Sequence, residues 1–349
     1  MLHISYKHVC LCLFCFFTCV ELKSSSEPNR IDRYMTFDEI NKYLDTILAN
    51  NNNTKELIIG KSNENRDIRG IEVSNNNGRE ADITILLDGG IHAREWVSTV
   101  AVLYTINQLL ENSSNSDLIT DVNWYIFPML NPDGYVFTME PNGDRLWRKN
   151  RGMTPLSACP GVDLNRNFDF QWGGPGASDN PCDPNYAGPF PFSEPESRAL
   201  ANFILDHVPQ IKMYLTLHTA AQAIIYPWGF TTLRTTDWKD LDECAKVAAT
   251  AISEVNGTIY TVGPTTDTVG PGAGGSDDWA KGVAKIKYVY TFELPGLNHP
   301  QGGFGPLESS LAPMIQEAFV GIKAFVNYLK DKKYIKTSEG NINSKESQI

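Results

Sequence analysis

An apolar run, Asp82 to Leu87, stops at Asp88-Gly89-Gly90, and a stretch with helical spacing follows. Within Trp96 to Leu110, Val100, Leu103, Ile106 and Leu110 fall on one helical face, and a second β-rich run, Val122 to Leu130, comes next. Strand, helix and strand in that order need a crossover connection, which points to parallel pairing in an α/β sheet. Lys212 to Leu217 and Lys287 to Leu294 read as further central strands. Ser193-x-x-Glu196 resembles a capping box, with Pro195 early in a helix running towards His207. Ile31 to Leu48 reads as an amphipathic helix closed by an Asn-rich turn, and Pro306 to Leu329 as a long terminal helix with Leu311, Ile315, Phe319, Ile322 and Val326 on one face. Asn131-Pro132-Asp133-Gly134 reads as a turn. With no internal repeat and no linker, the order predicts one α/β domain over residues 30–330, a mixed, mostly parallel central sheet flanked by helices on both faces.

The ends differ from this middle. Lys7 and His8 precede an apolar run, Val9 to Val20, too short to cross a bilayer and of signal-peptide length. Residues 1–25 are therefore expected to be a signal peptide, and the chain to be secreted, with no membrane anchor and as a monomer. Beyond Lys330 the polar residues 331–349 are expected to be a disordered tail. Of seven cysteines, Cys10, Cys12, Cys15 and Cys19 would leave with the signal. In an oxidising compartment Cys159 and Cys182 could pair, leaving Cys244 as a buried thiol. N-x-[ST] sequons at Asn52, Asn112 and Asn256 are compatible with secretion. A net charge of −11 disfavours a nucleic-acid partner.

From Arg145 to Pro191 the chain is rich in Gly, Pro, Asn and aromatics without sustained period, and so long an irregular stretch inside a domain is usually functional. Candidate site residues cluster where strands run out, as active sites of open α/β sheets do. His92 and Glu95 follow the run that ends at Gly90, His218 closes the run Met213 to Leu217, and Glu293 ends Tyr288 to Phe292. Two His and one carboxylate leave a position on zinc open for water. A surface His-x-x-Glu is nonetheless common, and a carboxylate after an apolar run is usually capped or solvated. Likewise Arg145 to Arg151 reads either as a solvated charge run or as a source of carboxylate recognition and oxyanion stabilisation.

Several segments, in order from about residue 31 to 329, resemble the zinc carboxypeptidases of the pancreatic A/B type. They are Asp88-Gly-Gly-Ile-His-Ala-Arg-Glu-Trp96, Asn131-Pro-Asp-Gly-Tyr135, Arg145-Leu-Trp-Arg-Lys-Asn-Arg151, Gly161-Val-Asp-Leu-Asn-Arg-Asn-Phe168, Leu217-His218, Gly274-Gly-Ser-Asp-Asp-Trp279 and Thr291-Phe-Glu-Leu294. The resemblance implies one Zn²⁺ per chain held by His92, Glu95 and His218, peptide or protein C-termini as substrate, and removal of one residue at a time. It implies Glu293 as the base and Arg148 as the group polarising the scissile carbonyl. Asn165 and Arg166 would clamp the terminal carboxylate, Arg94 would contribute further out, and Cys159 and Cys182 would form the family's disulfide.

Within Gly-Gly-Ser-Asp-Asp-Trp, Asp277 marks the B-type enzymes that accept C-terminal Lys or Arg, so that preference is expected. The alternatives are A-type specificity for aliphatic or aromatic residues, and a non-catalytic zinc-containing relative that binds C-termini. Three features depart from the family. Gly270 stands where a Tyr on a mobile loop is usual, Ala220 stands two after His218 where a Tyr is common, and the catalytic start follows the signal with no pro-domain between. Either activation by proteolysis is not needed, or the sequence is a truncated form. So much glycine in Val269 to Gly275 predicts a mobile loop unless tertiary contacts fix it.

Overall fold

The computed structural model of the chain describes residues 30–75, 81–153, 158–296 and 303–346, with side chains as far as Lys332. The segment read as a signal peptide lies outside the described residues, and Ile31–Ile349 forms a unit of its own. Its elements in order are α1 (Phe37–Asn50), β1 (Thr54–Lys61), β2 (Asp67–Ser74), β3 (Ile83–Gly89), α2 (Trp96–Leu110), β4 (Val122–Phe127), α3 (Pro132–Met139), α4 (Pro195–His207), β5 (Ile211–Tyr226), α5 (Trp238–Asn256), β6 (Thr261–Pro264), α6 (Thr265–Thr268), α7 (Ser276–Gly282), β7 (Tyr288–Pro295) and α8 (Leu311–Glu346).

Every residue of β3 and β4 is buried, as strands covered on both faces require. Alternation divides them between two cores. Ile85 and Leu87 join α1, α2, α5 and α8 on one face, while Leu86 joins α4 and Trp279 of α7 on the other. Burial of each such side chain is worth about 1.5–3 kcal/mol, so the two cores fix the register of the strands between them. The sheet runs β1-β2-β4-β3-β5-β6, with β7 also against β5. β3 is parallel to β4 and β5, β5 is parallel to β6 and β7, and the β1–β2 hairpin joins antiparallel at β4. This is the mixed, helix-flanked α/β sheet that the order of elements predicts.

Several local expectations are corrected. Asn131-Pro132-Asp133-Gly134 starts a helix: Asn131 Oδ1 accepts from the Gly134 N–H and Pro132 occupies the first turn. No capping box forms at Ser193-x-x-Glu196. Glu194 takes the N-cap position, and the Ser193 hydroxyl donates to its carboxylate at 2.8 Å. β5 does not end before His218 but continues to Tyr226, and beyond a bend with Gln222 at positive φ its residues Ala223, Ile224 and Ile225 meet Glu293, Phe292 and Thr291 in reverse order. α8 runs from Leu311 to Glu346. Among the described side chains of that helix, the last buried one is Leu329.

Candidate active site and metal centre

The β3–α2 turn and the β5–β7 pairing bring the candidate residues together. Gly89 at the end of β3 lies opposite Leu217 of β5, and His218, one residue on, lies opposite Glu293 of β7. His92 and Glu95 fill the turn between β3 and α2. That turn is held by the Ala93 N–H, which donates to the Arg148 carbonyl at 3.1 Å, and by the Gly90 N–H, which donates to Ser98 Oγ at 3.1 Å. Residues from three stretches far apart in sequence thus meet at one end of the sheet.

Their donor atoms converge. His92 Nδ1 is 2.8 Å from Glu95 Oε1, His218 Nδ1 is 3.0 Å from Glu95 Oε2, and the two Nδ1 atoms are 3.1 Å apart. One ligand atom from each of His92, Glu95 and His218 lies within 4.8 Å of the others, and all three residues are buried. The Thr219 N–H donates to Glu95 Oε2 at 3.2 Å, locking the carboxylate to β5. On the far side of the His92 ring, Nε2 meets Asp163 Oδ1 at 3.1 Å, which leaves Nδ1 as the inward nitrogen. Burial opposes ionisation of Glu95, but His92 and His218 outweigh it and hold the carboxyl well below its ordinary range. Burial pushes the His92 pKa down, towards the neutral form that ligates. Two inward imidazole nitrogens and a buried carboxylate, braced by an outer carboxylate, are a donor set that fits zinc with a position left open.

Arg148 stands beside this set. Its Nε and Nη2 donate to Asp163 Oδ2 at 2.9 and 2.8 Å, and Nη1 lies 3.2 Å from His92 Nδ1 and 3.7 Å from Glu95 Oε1. Burial works against ionised Asp163, but Arg148 and His92 pull its pKa well below the usual carboxylate range. Glu293 is partly buried in the same cavity, and burial pushes its carboxyl up to about 7. That cavity, about 400 Å³, is lined by all three metal-site residues and by Arg148, Asn165, Arg166, Asp277 and Glu293.

A family model described as zinc carboxypeptidase matches residues 40–321. The chain belongs to that family. It is 43% identical over 303 residues to carboxypeptidase B of Astacus astacus, covering 85% of this chain and 97% of that one. It is 37% identical to carboxypeptidase A2 of Mus musculus, over 86% of this chain and 71% of that one. Among solved structures, carboxypeptidase A from Helicoverpa armigera superposes with a TM-score of 0.82 at 32% identity, covering 88% of this chain and 76% of that one. The chain is a metallocarboxypeptidase with zinc as its cofactor and peptides with free C-termini as substrates.

The remaining site residues lie around this cavity, together with one that the sequence reading passes over. Arg94 does not line the central cavity. It lines an adjoining one of about 300 Å³ with Asp144, Leu146 and the disulfide, its guanidinium 4.1 Å from the Phe304 ring centre. Cys159 and Cys182 are bonded, with Cα atoms 5.1 Å apart, and Cys244 is a free, buried thiol. Asp163 is assigned no role by the sequence, yet it ties His92, Arg148 and the Asn165 N–H together. The signal is its place in Gly161 to Phe168, next to Asn165 and Arg166. Ile225 and Thr265, which also line the cavity, carry no sequence signal of their own.

Proposed function

We propose that this carboxypeptidase is secreted and preferentially releases C-terminal Lys and Arg. The observation that carries the preference is the contrast between Asp277 and its neighbour. Asp278 accepts from the Gly229 and Phe230 backbone N–H groups at 2.8–3.0 Å and is committed to the fold. Asp277 lines the cavity, is 5% exposed and, among the described residues, takes one hydrogen bond, from Thr291 Oγ1 at 3.3 Å, and no ion pair. A buried carboxylate left in that state is a partner for a substrate ammonium or guanidinium. Relatives of both A and B type are similar to this chain, so the pocket itself supports the choice.

Zinc, when bound, supplies Lewis acidity and acidifies water. Glu293, beside it, takes the proton of the attacking water and returns it to the leaving amine. Arg148, held by Asp163, donates to the oxyanion that develops on the scissile carbonyl. Asn165 and Arg166 bind the terminal carboxylate, and Arg94 serves the substrate further from the scissile bond. Secretion is supported by the disulfide and by the exposure of Asn52, Asn112 and Asn256 in their sequons. Among the described residues no helix is long and apolar enough to cross a membrane. The deciding experiment compares kcat/KM on matched peptides ending in Lys, Arg, Leu and Phe. A preference for Phe over Lys would overturn the B-type reading, and no turnover of any of them by zinc-loaded protein would overturn catalysis.

A further inference from the structure

Behind the clamp a buried polar chain runs where an apolar core would be expected. Tyr214 of β5, Asp88 at the end of β3 and Ser276 at the start of α7 are all fully buried. The Tyr214 oxygen is 2.7 Å from Asp88 Oδ2 and 3.1 Å from Ser276 Oγ. Tyr214 has one proton. Ionised Asp88 can only accept, so Tyr214 donates to it and the Ser276 hydroxyl donates to Tyr214. Ser276 then makes one more contact, its backbone N–H donating to Asn165 Oδ1 at 2.9 Å.

That last bond decides how Asn165 faces the cavity. With Oδ1 occupied by Ser276, the Nδ2 amino group is the end left for the substrate, and it is a donor, as a terminal carboxylate requires. Were Ser276 free to shift, the amide could turn and present an acceptor oxygen to the carboxylate instead. The backbone of Asn165 is fixed separately, by its N–H to Asp163 and its carbonyl to Arg166 Nη1 at 2.6 Å, so the side-chain orientation rests on Ser276.

We infer that Tyr214, anchored on Asp88, is a positioning residue for carboxylate recognition: it holds Ser276 so that Asn165 presents its amino group to the substrate C-terminus. This rests on the clamp role of Asn165 proposed above. A tyrosine is needed because phenylalanine fills the same space without bonding either neighbour.

The test is a set of variants in zinc-loaded protein: Tyr214→Phe, Ser276→Ala, Asn165→Ala, and Asn165→Ala combined with each of the first two. Ser276→Ala breaks the same link while leaving Asp88 its tyrosine, so it serves if Tyr214→Phe folds poorly. Tyr214→Phe and Ser276→Ala should each raise KM by about three- to tenfold, with kcat and zinc content unchanged, as expected for losing part of a hydrogen bond to a charged group. The rise should be equal for peptides ending in Lys and in Leu, and should vanish in the Asn165→Ala background. If the KM increase persists undiminished in that background, or if kcat falls instead, Tyr214 acts through the fold and the inference is wrong. If Asn165→Ala alone leaves KM unchanged, the clamp reading fails first and takes this inference with it.

Discussion

The two walls of the catalytic cavity are built differently. On the metal side each functional group is tied to another: Glu95 to His92, His218 and the Thr219 N–H, and Asp163 to His92, Arg148 and the Asn165 N–H. The loop Val269 to Gly275, whose first four residues line the cavity, presents mostly backbone. Glycines there are not simply loose: a Cβ on Gly274 would lie 2.4 Å from the Arg166 carbonyl oxygen, so its absence lets the loop press against Arg166. The Gly272 N–H donates to Gly229 and the Phe168 N–H donates to Gly274, which pins this part of the loop. Gly270 alone of these has φ +94 with open space around it. The metal side is over-determined by its neighbours, whereas the loop side is shaped by close backbone contact and by Asp277, which among the described residues takes one hydrogen bond.

The largest effect should come from Glu293, proposed as the base. Glu293→Gln is expected to keep zinc and lose turnover by about 10²–10⁴-fold or more, since an amide cannot take the proton. Single-turnover kinetics on zinc-loaded, folded variant checks this, and near-normal rates would remove Glu293 from the base role. The same residue predicts a stability signature in chelated protein. Burial raises its carboxyl from 4.5 to about 7, so the protonated form favours folding. That contribution is complete below pH 4.5 and is lost as pH rises through about 7. Glu293→Gln, which cannot ionise, should therefore unfold at a higher temperature than wild type above pH 7, with the gap closing below pH 4.5.

On the loop side, Asp277→Ala should cut kcat/KM for C-terminal Lys or Arg by about 30-fold or more, the cost of leaving a buried charge without its partner. Hydrolysis of peptides ending in Leu should be nearly unaffected, and an equal loss on both would make Asp277 a structural residue like Asp278.

How much of this could be read beforehand follows the same division. His92, Glu95, His218 and Glu293 were legible because each sits at or just past an apolar run, and parallel strands bring such ends to one place. Their joint match to a family then assigned roles that spacing alone left open. Asp163 was not legible as a brace, because Asp before Asn is ordinary turn chemistry until His92 and Arg148 are seen on either side of it. The β1–β2 hairpin escaped because β1 is mostly exposed or half-buried along its length, so no clean alternation marks it. Asn131 to Gly134 misled because the residues that favour a turn also cap and start a helix.

Asp163→Asn sharpens the account of the metal side with a smaller effect. An amide can still occupy the space, but it no longer offsets Arg148 or accepts as strongly from His92. Zinc affinity should fall by about 10–100-fold, the usual cost of losing an outer partner of a ligating histidine. Competition with a chromogenic chelator measures it, and unchanged affinity would mean that His92 is held without Asp163.

The smallest effect is expected at Gly270, where the resemblance to the family leads one to expect a tyrosine. Two terms oppose each other there. A phenol hydrogen-bonded to the terminal carboxylate is worth about 1.5–3 kcal/mol. Against it, a tyrosine at φ +94 sits in a backbone region that side chains rarely adopt, at a cost on the order of 1–3 kcal/mol. Space is no obstacle, since a Cβ at Gly270 meets nothing within 4 Å. The terms nearly cancel, so Gly270→Tyr should change KM by no more than about threefold in either direction, with kcat unaltered. Steady-state kinetics on a Lys-terminated peptide decides the matter. A tenfold fall in KM would mean that the loop rearranges to relieve the strain, and that the backbone contacts around Gly272 and Gly274 do not hold the loop as firmly as their geometry implies.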